Sequence, residues 1–471
     1  MVNGREERTG IVDEMLKKGK ARSEGKSVQE MMKDERVPPP SYLLEENYTY
    51  VGSEALPVER YFSPEFFERE NRTVWRKTWQ MACRLEDIPN VGDNVLYDVN
   101  DDSLIVMRTA PDTIRAYHNS CLHRGRRLRD QGGNTSQLRC PYHAFTWDIQ
   151  GKSTFIPCKW DFSHIDQANF SLPEAKVGIW GGFVFINFDL DCVPLEDYLG
   201  PIPEHFENWN YENKVKVAHV GKVCNFNWKV GVEAFIESYH VIATHPQILP
   251  TTGDANTQYD NYEGSAINRM ITPFGVHSPH IKQPPEQQIV DAMSGSVRRK
   301  LGSAADGLFN IPEGITARRF MADLARQMVS TQSGIDLSHA SDSEMLDALQ
   351  YFVFPNFFPW GGYGSNIVYR FRPAKHSPDW CFMEVILIDN PPKDKPRPAP
   401  AKMRLLGEDE RWADAEPELG SLAGVFEQDF GNMPSVQRGL RASKTRVVHL
   451  GDYQECRIRD LHRQLDRYMT A

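Results

Sequence analysis

The sequence predicts an α+β fold, a small all-β domain followed by a larger domain of antiparallel sheet and helices, and three observations predict it. At 471 residues the chain exceeds the size at which a single core stops growing, so two domains and an arm are expected. Between about residues 80 and 190, short β-branched runs at 94–97, 104–108 and 182–187 are separated by Gly, Asp and Asn turns, the texture of a compact β domain. After Asp191 helical periodicity returns at 233–243, 287–301 and 317–329, and strand-like runs follow at 366–372 and 381–389, so the second half mixes helices with sheet.

In chain order, residues 1–45 are rich in Lys, Glu and Arg, carry a short helical pattern at 11–16 and a Pro-Pro-Pro breaker at 38–40, and read as an N-terminal arm. Residues 46–79 form a helical segment packing on the larger domain, with Ser63 as N-cap before Pro64 at the first helical position. The β domain takes 80–190 and the larger domain 191–471, with a Pro/Lys loop at 391–400 and a closing helix at 453–468. No internal repeat is visible. The opening MVNGREERTG has no apolar signal region, which predicts a cytoplasmic, reducing compartment in which eight cysteines need not pair. Apolar runs such as 181–188 are too short to span a bilayer. Lys plus Arg at 54 against Asp plus Glu at 64 gives a net charge of −10 without a dense basic block, which argues against nucleic acid and would attract a partner bearing a basic patch.

The chemistry starts at residues 227–246, NWKVGVEAFIESYHVIATHP. Read as a helix, Val232, Phe235, Ile236 and Tyr239 form one buried stripe, and Glu233, Glu237 and His240 the adjoining one. Glu237 is then placed to hydrogen-bond His240 and fix its tautomer, as carboxylates do for metal-bound imidazoles. His245 is rotated roughly 140° from His240 at 3.6 residues per turn, and Pro246 biases it toward extended backbone, so the helix is expected to end between the histidines. The segment reads as half of an iron site; the alternative is a solvated Glu/His face with a core tyrosine.

A second motif lies in the β domain: Cys121-Leu-His123-Arg-Gly and Cys140-Pro-Tyr-His143, with 16 residues between His123 and Cys140. Zinc ribbons use matched C-x2-C knuckles, whereas a cysteine and a histidine from each of two loops give one iron two thiolates and the other two imidazoles. That is the ligand pattern of a Rieske [2Fe-2S] cluster, a relay suited to electrons from a ferredoxin or flavin reductase; a Cys2His2 zinc site is the alternative.

With these motifs the chain resembles the large (alpha) subunit of Rieske non-haem iron oxygenases, the aromatic ring-hydroxylating family, over residues 61–441. GGFVFIN at 181–187, FPN at 354–356 and EQDFGNMPSVQRGLRAS at 427–443 appear in the family's order. The resemblance implies that His240, His245 and Asp429 ligate a mononuclear Fe(II) with open positions for O2 and substrate. It implies that Glu237 is the catalytic acid bridging His240 to His143 of a neighbouring subunit, in a homotrimer that in some relatives includes a separate small beta subunit. Glu237 itself is the alternative metal carboxylate. Two positions depart from the family pattern: Ala234 where an asparagine is common, and Ala144 where a glycine is frequent. Glu rather than Asp at 237 points toward monooxygenases or demethylases.

His277 and His280 lack nearby acids or cysteines and read as loop histidines. Cys83, Cys158, Cys192, Cys224, Cys381 and Cys456 lack paired spacing and read as small core residues. The Met-bearing helices of residues 251–350 (Met293, Met321, Met328, Met345) are read as covering the pocket, with scaffold packing as the alternative. The expected function is terminal oxygenation of an apolar, aromatic substrate, with oxidative O- or N-demethylation as the alternative. A quaternary ammonium substrate would need an aromatic cage, to which Trp360 and Phe357 cannot be assigned from sequence. A bare Rieske electron carrier would leave the whole second half unused, and a zinc-stabilised binding protein would carry no redox chemistry.

Overall fold

The computed structural model describes residues 21–301, 307–364 and 366–470, so the helical pattern expected at 11–16 lies outside the described residues. The chain enters as a strap. Helix α1 (Val28–Lys33) closes a capping box between Ser27 and Glu30 and buries Val28 and Met32 beside Tyr42 and Leu43, in a core shared with the larger domain. Helix α2 (Pro64–Thr73) starts as predicted, with the Ser63 hydroxyl accepting from the Phe66 N–H.

The β domain is a seven-stranded antiparallel sheet in the order Gln80–Arg84, Phe183–Asn187, Glu174–Trp180, Thr113–His118, Asp102–Ala110, Asp93–Val99, Gly133–Asn134. A three-stranded sheet (Gln137–Arg139, Thr146–Asp148, Ser153–Phe155) stands beside it. In the larger domain a five-stranded sheet runs Phe358–Pro359, Asn366–Ala374, Ser377–Asp389, Val215–Cys224, Arg404–Leu406, antiparallel except for its last pair. A three-stranded antiparallel sheet (Gln258–Asn261, Ile267–Thr272, Ala348–Val353) completes it.

Around these sheets lie α3 (Trp228–Ala234), α4 (Val241–Thr244), α5 (Glu286–Leu301), α6 (Ala317–Ser333), α7 (Leu422–Ala442) and α8 (Cys456–Thr470). Among the described residues no helix is long and apolar enough to cross a membrane. Met293 and Met321 pack in a small core between α5 and α6, and Met345 in the larger domain's core, so these are packing positions.

One hydrophobic core crosses the domain boundary, joining Val106 and Val184 of the β domain to Val220, Phe371 and Met383 of the five-stranded sheet. Polar contacts reinforce the joint. Arg370, held by Glu384 through two 2.6 Å contacts, donates to the carbonyls of Met81 (2.8 Å) and Ala82 (2.6 Å), and Arg84 donates to Lys214 O at 2.8 Å. Of the six unpaired cysteines, Cys83, Cys224, Cys381 and Cys456 are buried as expected; Cys158 is exposed and Cys192 half-buried, contrary to their reading as core residues.

The stretch 227–246 departs from its predicted form. Helix α3 ends at Ala234, well before His240; residues 235–240 form an open turn, and α4 intervenes between the two histidines. Tyr239, expected in the buried stripe, is 52% exposed, whereas Val232, Phe235 and Ile236 are buried. Other partners take the place of the next helical turn: Ile236 O accepts from Arg457 Nη1 at 3.2 Å and the Ser238 N–H donates to Tyr259 Oη at 3.0 Å, both across the fold, while the His240 N–H donates locally to Glu237 Oε2 at 2.9 Å. Up to that break α3 lies flat on the sheet, where a Cβ on Gly231 would stand 2.6 Å from the Phe371 ring.

Candidate iron–sulfur and mononuclear iron sites

The four residues of the β-domain motif sit on two loops. Cys121 and His123 follow strand Thr113–His118, and Cys140 to His143 join Gln137–Arg139 to Thr146–Asp148. Both cysteines are buried, at 3% and 2% exposure. The imidazoles of His123 and His143 approach with ring centroids 4.8 Å apart, and Nδ1 of each is buried without a hydrogen-bond partner. Two buried nitrogens left bare in this way would each forfeit a hydrogen bond unless a metal takes the lone pair. Burial pushes the Cys121 thiol pKa up, the His123 N–H donates to the sulfur and pulls it back, and Cys140 lies in contact. Burial and the neighbouring His143 hold His123 toward its neutral, ligating form. Two thiols and two free Nδ1 atoms fit a Rieske cluster, with Cys121 and Cys140 on one iron and His123 and His143 on the other. Ala144, which follows the last of them, has φ 63°, a left-handed conformation that accounts for a glycine serving better at that position.

His240, His245 and Asp429 come from three different elements: the end of the open turn, the residue after α4, and the middle of α7. The last is aimed inward because Phe426, Asp429, Met433, Gln437 and Leu440 recur at helical spacing on the buried face of α7. One ligand atom from each of the three lies within 4.8 Å of the others, the one such group of metal-binding side chains among the described residues. Asp429 Oδ1 is 2.8 Å from His245 Nε2 and 3.6 Å from His240 Nε2.

Both imidazoles are oriented from behind. Glu237 Oε1 accepts from His240 Nδ1 at 2.6 Å, and Gln428 Oε1 accepts from His245 Nδ1 at 2.9 Å, leaving each Nε2 lone pair for a metal. Burial opposes charge on His240, but Glu237 and Asp429 outweigh it and raise its pKa to about 9, so the pocket favours a cation between its ligands. Two histidines and a carboxylate on one side fit a mononuclear Fe(II) with open positions. Gln428 was missed from sequence; its signal is adjacency to Asp429, since the residue beside an inward ligand can turn back to its partner. Glu233 does not join the iron set and instead accepts from His462 Nε2 at 2.9 Å. Ala234, where the family has an amide, packs against the core.

Comparison with known proteins shows which families the two domains belong to. A model of the ring hydroxylating alpha subunit (catalytic domain) matches residues 204–471, and a model of the Rieske [2Fe-2S] domain matches residues 78–166. The glycine betaine monooxygenase oxygenase subunit of Chromohalobacter salexigens is 30% identical over 199 residues, 42% of this chain and 44% of that protein. The carnitine monooxygenase oxygenase subunit of Escherichia coli is 28% identical over 245 residues, 51% of this chain and 64% of that one. The anthranilate 1,2-dioxygenase large subunit of Acinetobacter baylyi is 28% identical over 208 residues, 42% and 44% of the two chains. The chain thus aligns with about half the length of these curated relatives. Among solved structures, a quaternary ammonium Rieske monooxygenase in complex with L-carnitine superposes with TM-score 0.60 at 16% identity, covering 90% of this chain and all (100%) of that one. Naphthalene 1,2-dioxygenase with indole bound superposes with TM-score 0.61 at 20% identity, covering 90% and 93%. These likenesses establish the shared fold. With the catalytic-domain model matched over more than half its length and a Rieske domain before it, this chain belongs to the family of Rieske oxygenase ring-hydroxylating alpha subunits.

Proposed function

We propose that this chain is the cytoplasmic terminal oxygenase of a Rieske system, drawing electrons from a separate ferredoxin or flavin reductase and inserting one oxygen atom of O2 into a small organic substrate. The observation that carries the reading is the pair of ligand sets: two buried cysteines and two imidazoles with bare Nδ1 atoms in one domain, and a 2-His-1-carboxylate group in the other. When bound, the two centres would supply single-electron relay and O2 reduction. Hydroxylating one C–H bond consumes O2, two electrons and two protons, and releases water.

The residues divide that work. Cys121, His123, Cys140 and His143 would hold the cluster; His240, His245 and Asp429 would hold the iron; Gln428 keeps His245 in register. Glu237 spends both carboxylate oxygens on His240, one on Nδ1 at 2.6 Å and one on the backbone N–H at 2.9 Å, and is assigned the bridge to His143 of a neighbouring subunit. Surface character supports a head-to-tail contact of this kind. Tyr142, its ring tilted against that of His143 with centroids 3.7 Å apart, is 55% exposed, and Tyr239, beside His240, is 52% exposed, so each centre is flanked by an uncovered aromatic ring. The assembly is assigned as a homotrimer, with or without a small beta subunit.

The buried core around Asp429 is aromatic: Phe235 stands 4.8 Å from Tyr369, Tyr369 5.9 Å from Phe426, and Trp412 4.7 Å from Phe430, and the Asp429 charge joins burial in raising the Tyr369 hydroxyl pKa. Such faces attract an alkylated ammonium by cation–π contact, and the glycine betaine and carnitine relatives are named for substrates of that kind. The substrate is therefore assigned as a quaternary ammonium compound, hydroxylated on a carbon next to nitrogen; the carbinolamine then breaks its C–N bond, releasing an amine and a carbonyl compound. Hydroxylation of an aromatic ring is the second reading, favoured by the same rings, which also stack on arenes, and by the anthranilate dioxygenase relative. Turnover of glycine betaine, carnitine, anthranilate and naphthalene with a generic reductase, products identified by mass, decides between them; O2-coupled oxidation of none of these classes would reject the substrate assignment. For the bridge, Glu237→Gln should retain cluster and iron yet oxidise its cluster far more slowly than wild type in single turnover. Wild-type kinetics, or a monomer in sedimentation, would overturn that role.

A further inference from the structure

Glu237 lies where helical hydrogen bonding has lapsed between α3 and α4, so its own backbone does not fix it. The peptide groups on either side are held from elsewhere in the chain. Before it, Ile236 O accepts from Arg457 Nη1 at 3.2 Å. After it, the Ser238 N–H donates to Tyr259 Oη at 3.0 Å, and Ser238 Oγ lies 2.8 Å from Thr272 Oγ1 and 3.0 Å from Thr257 Oγ1.

Arg457 is itself immobilised. It is fully buried (0% exposed), and its guanidinium donates to Asn268 Oδ1 at 2.6 Å and Gln350 Oε1 at 3.0 Å, both neutral acceptors. A buried cation hydrogen-bonded only to neutral groups is a costly choice if a packed apolar side chain would do as well. What it gains here is a charged donor aimed at the carbonyl next to Glu237. Tyr259, buried in strand Gln258–Asn261, reaches the same turn at Ser238 and donates onward to Gln454 Oε1 at 3.3 Å, just before α8. No hydrogen bond joins Arg457 or Tyr259 to His240, His245 or Asp429.

We infer that Arg457 and Tyr259 are positioning residues that clamp the turn around Glu237 and aim its carboxylate at His240, so that delivery of electrons to the iron depends on the C-terminal helix. This rests on the reading of Glu237 as the electron bridge. Both residues act through Glu237, which separates them from general supports of the fold.

The test is a mutant cycle in the full-length enzyme loaded with cluster and iron, comparing Arg457→Met, Arg457→Lys and Tyr259→Phe, each alone and combined with Glu237→Gln. Single-turnover cluster oxidation should slow about fivefold in Tyr259→Phe, which frees the Ser238 N–H by losing a neutral hydrogen bond to the turn, along with the longer one to Gln454. It should slow roughly tenfold or more in Arg457→Met, a charged donor lost, with Arg457→Lys recovering part of the rate. Iron content should stay at the wild-type level in Tyr259→Phe, the milder variant, which decides the matter if Arg457→Met does not fold. In the Glu237→Gln background neither substitution should slow oxidation further. Slowing that multiplies with Glu237→Gln, or wild-type rates in both single variants, would overturn the clamp. If Glu237→Gln alone keeps the wild-type rate, the bridge reading has failed. The clamp is then judged from the EPR spectrum of the ferrous–nitrosyl complex, which reports the His240 environment: a shift shared by Tyr259→Phe and Glu237→Gln sustains it, and a spectrum that Tyr259→Phe leaves unchanged removes it.

Discussion

Replacing Lys229 by methionine should strongly destabilise the larger domain, because it leaves a buried carboxylate without its partner. The Lys229 ammonium is 2.6 Å from Glu70, and the two side chains are 0% and 1% exposed. Lys229 lies in α3 and Glu70 in α2, so the pair ties the helix leading into the iron site to the segment before the β domain. Burial lowers the lysine pKa and raises the glutamate pKa even against their mutual attraction, so each charge is tolerated only because the other is present. The remaining partners are weak: Trp228 Nε1 lies 3.5 Å from Glu70, and the ammonium sits 5.3 Å and 5.1 Å from the rings of Phe66 and Trp228. Lys229→Met keeps the chain volume but strands the Glu70 carboxylate, at a cost of about 3–5 kcal/mol. At a few degrees per kcal/mol for a domain of this size, the thermal midpoint should fall by about 10 °C. Thermal unfolding by circular dichroism at pH 7 measures it, and pairing Lys229→Met with Glu70→Leu should recover most of the loss, because no charge is then buried alone. A single-variant shift below about 3 °C, or a double variant no more stable than the single, would refute the reasoning.

Three further outcomes are expected. His245→Ala and Asp429→Ala should lose the mononuclear iron and all oxygenation while keeping the cluster spectrum; if Asp429→Ala keeps iron and activity while Glu237→Ala loses the metal, the carboxylate ligand is misassigned. Cys121→Ser or His143→Ala should abolish the Rieske EPR signal, and a full signal in either would reject the cluster ligands. His205, buried against Tyr42 with Nδ1 2.9 Å from Tyr351 Oη, has its pKa held down to about 3 by burial and by Arg269. It therefore stays neutral in the fold and takes up a proton on unfolding, so stability should fall as pH drops below about 6.5, by about 2 kcal/mol at pH 5. Urea midpoints at pH 7 and pH 5 should converge in His205→Gln, and an undiminished pH effect there would exclude His205 as its source.

Much of this site was legible because metal ligands must be particular residue types at particular spacings. Cys121, His123, Cys140 and His143 stand out from any composition, and their loops depend on local turns that the sequence encodes. The same holds for Ser63 and Pro64, whose cap chemistry sets the start of α2 within the residues themselves. The stretch from Phe235 to His240 was misread because its helical pattern is real but is overridden by residues far away in sequence. Arg457 lies 221 residues beyond Ile236, and nothing local marks it as a donor to the turn that follows α3. Gln428 was missed for a related reason: adjacency to Asp429 is its one local signal, and its partner His245 is 183 residues away. Periodicity reports what a segment would do alone, and a functional turn is where the rest of the protein overrules it.

The joint between the two domains bears on how electrons must travel. Arg370 reaches from the five-stranded sheet to the Met81 and Ala82 carbonyls, Arg84 reaches back to Lys214, and one apolar core runs through the boundary. A hinge needs few buried contacts and solvated backbone bonds, and this boundary offers the opposite. The two ligand sets of one chain are therefore held together by this joint, and a rotation of the β domain during turnover would have to break these contacts. Meanwhile the rings next to His143 and His240, Tyr142 and Tyr239, face outward. A rigid joint with exposed rings beside the histidines points to electron transfer between assembled chains, so dilution below the dissociation constant should abolish product formation while leaving cluster reduction intact. Turnover rate independent of subunit concentration through dissociation would show instead that one chain completes the circuit alone.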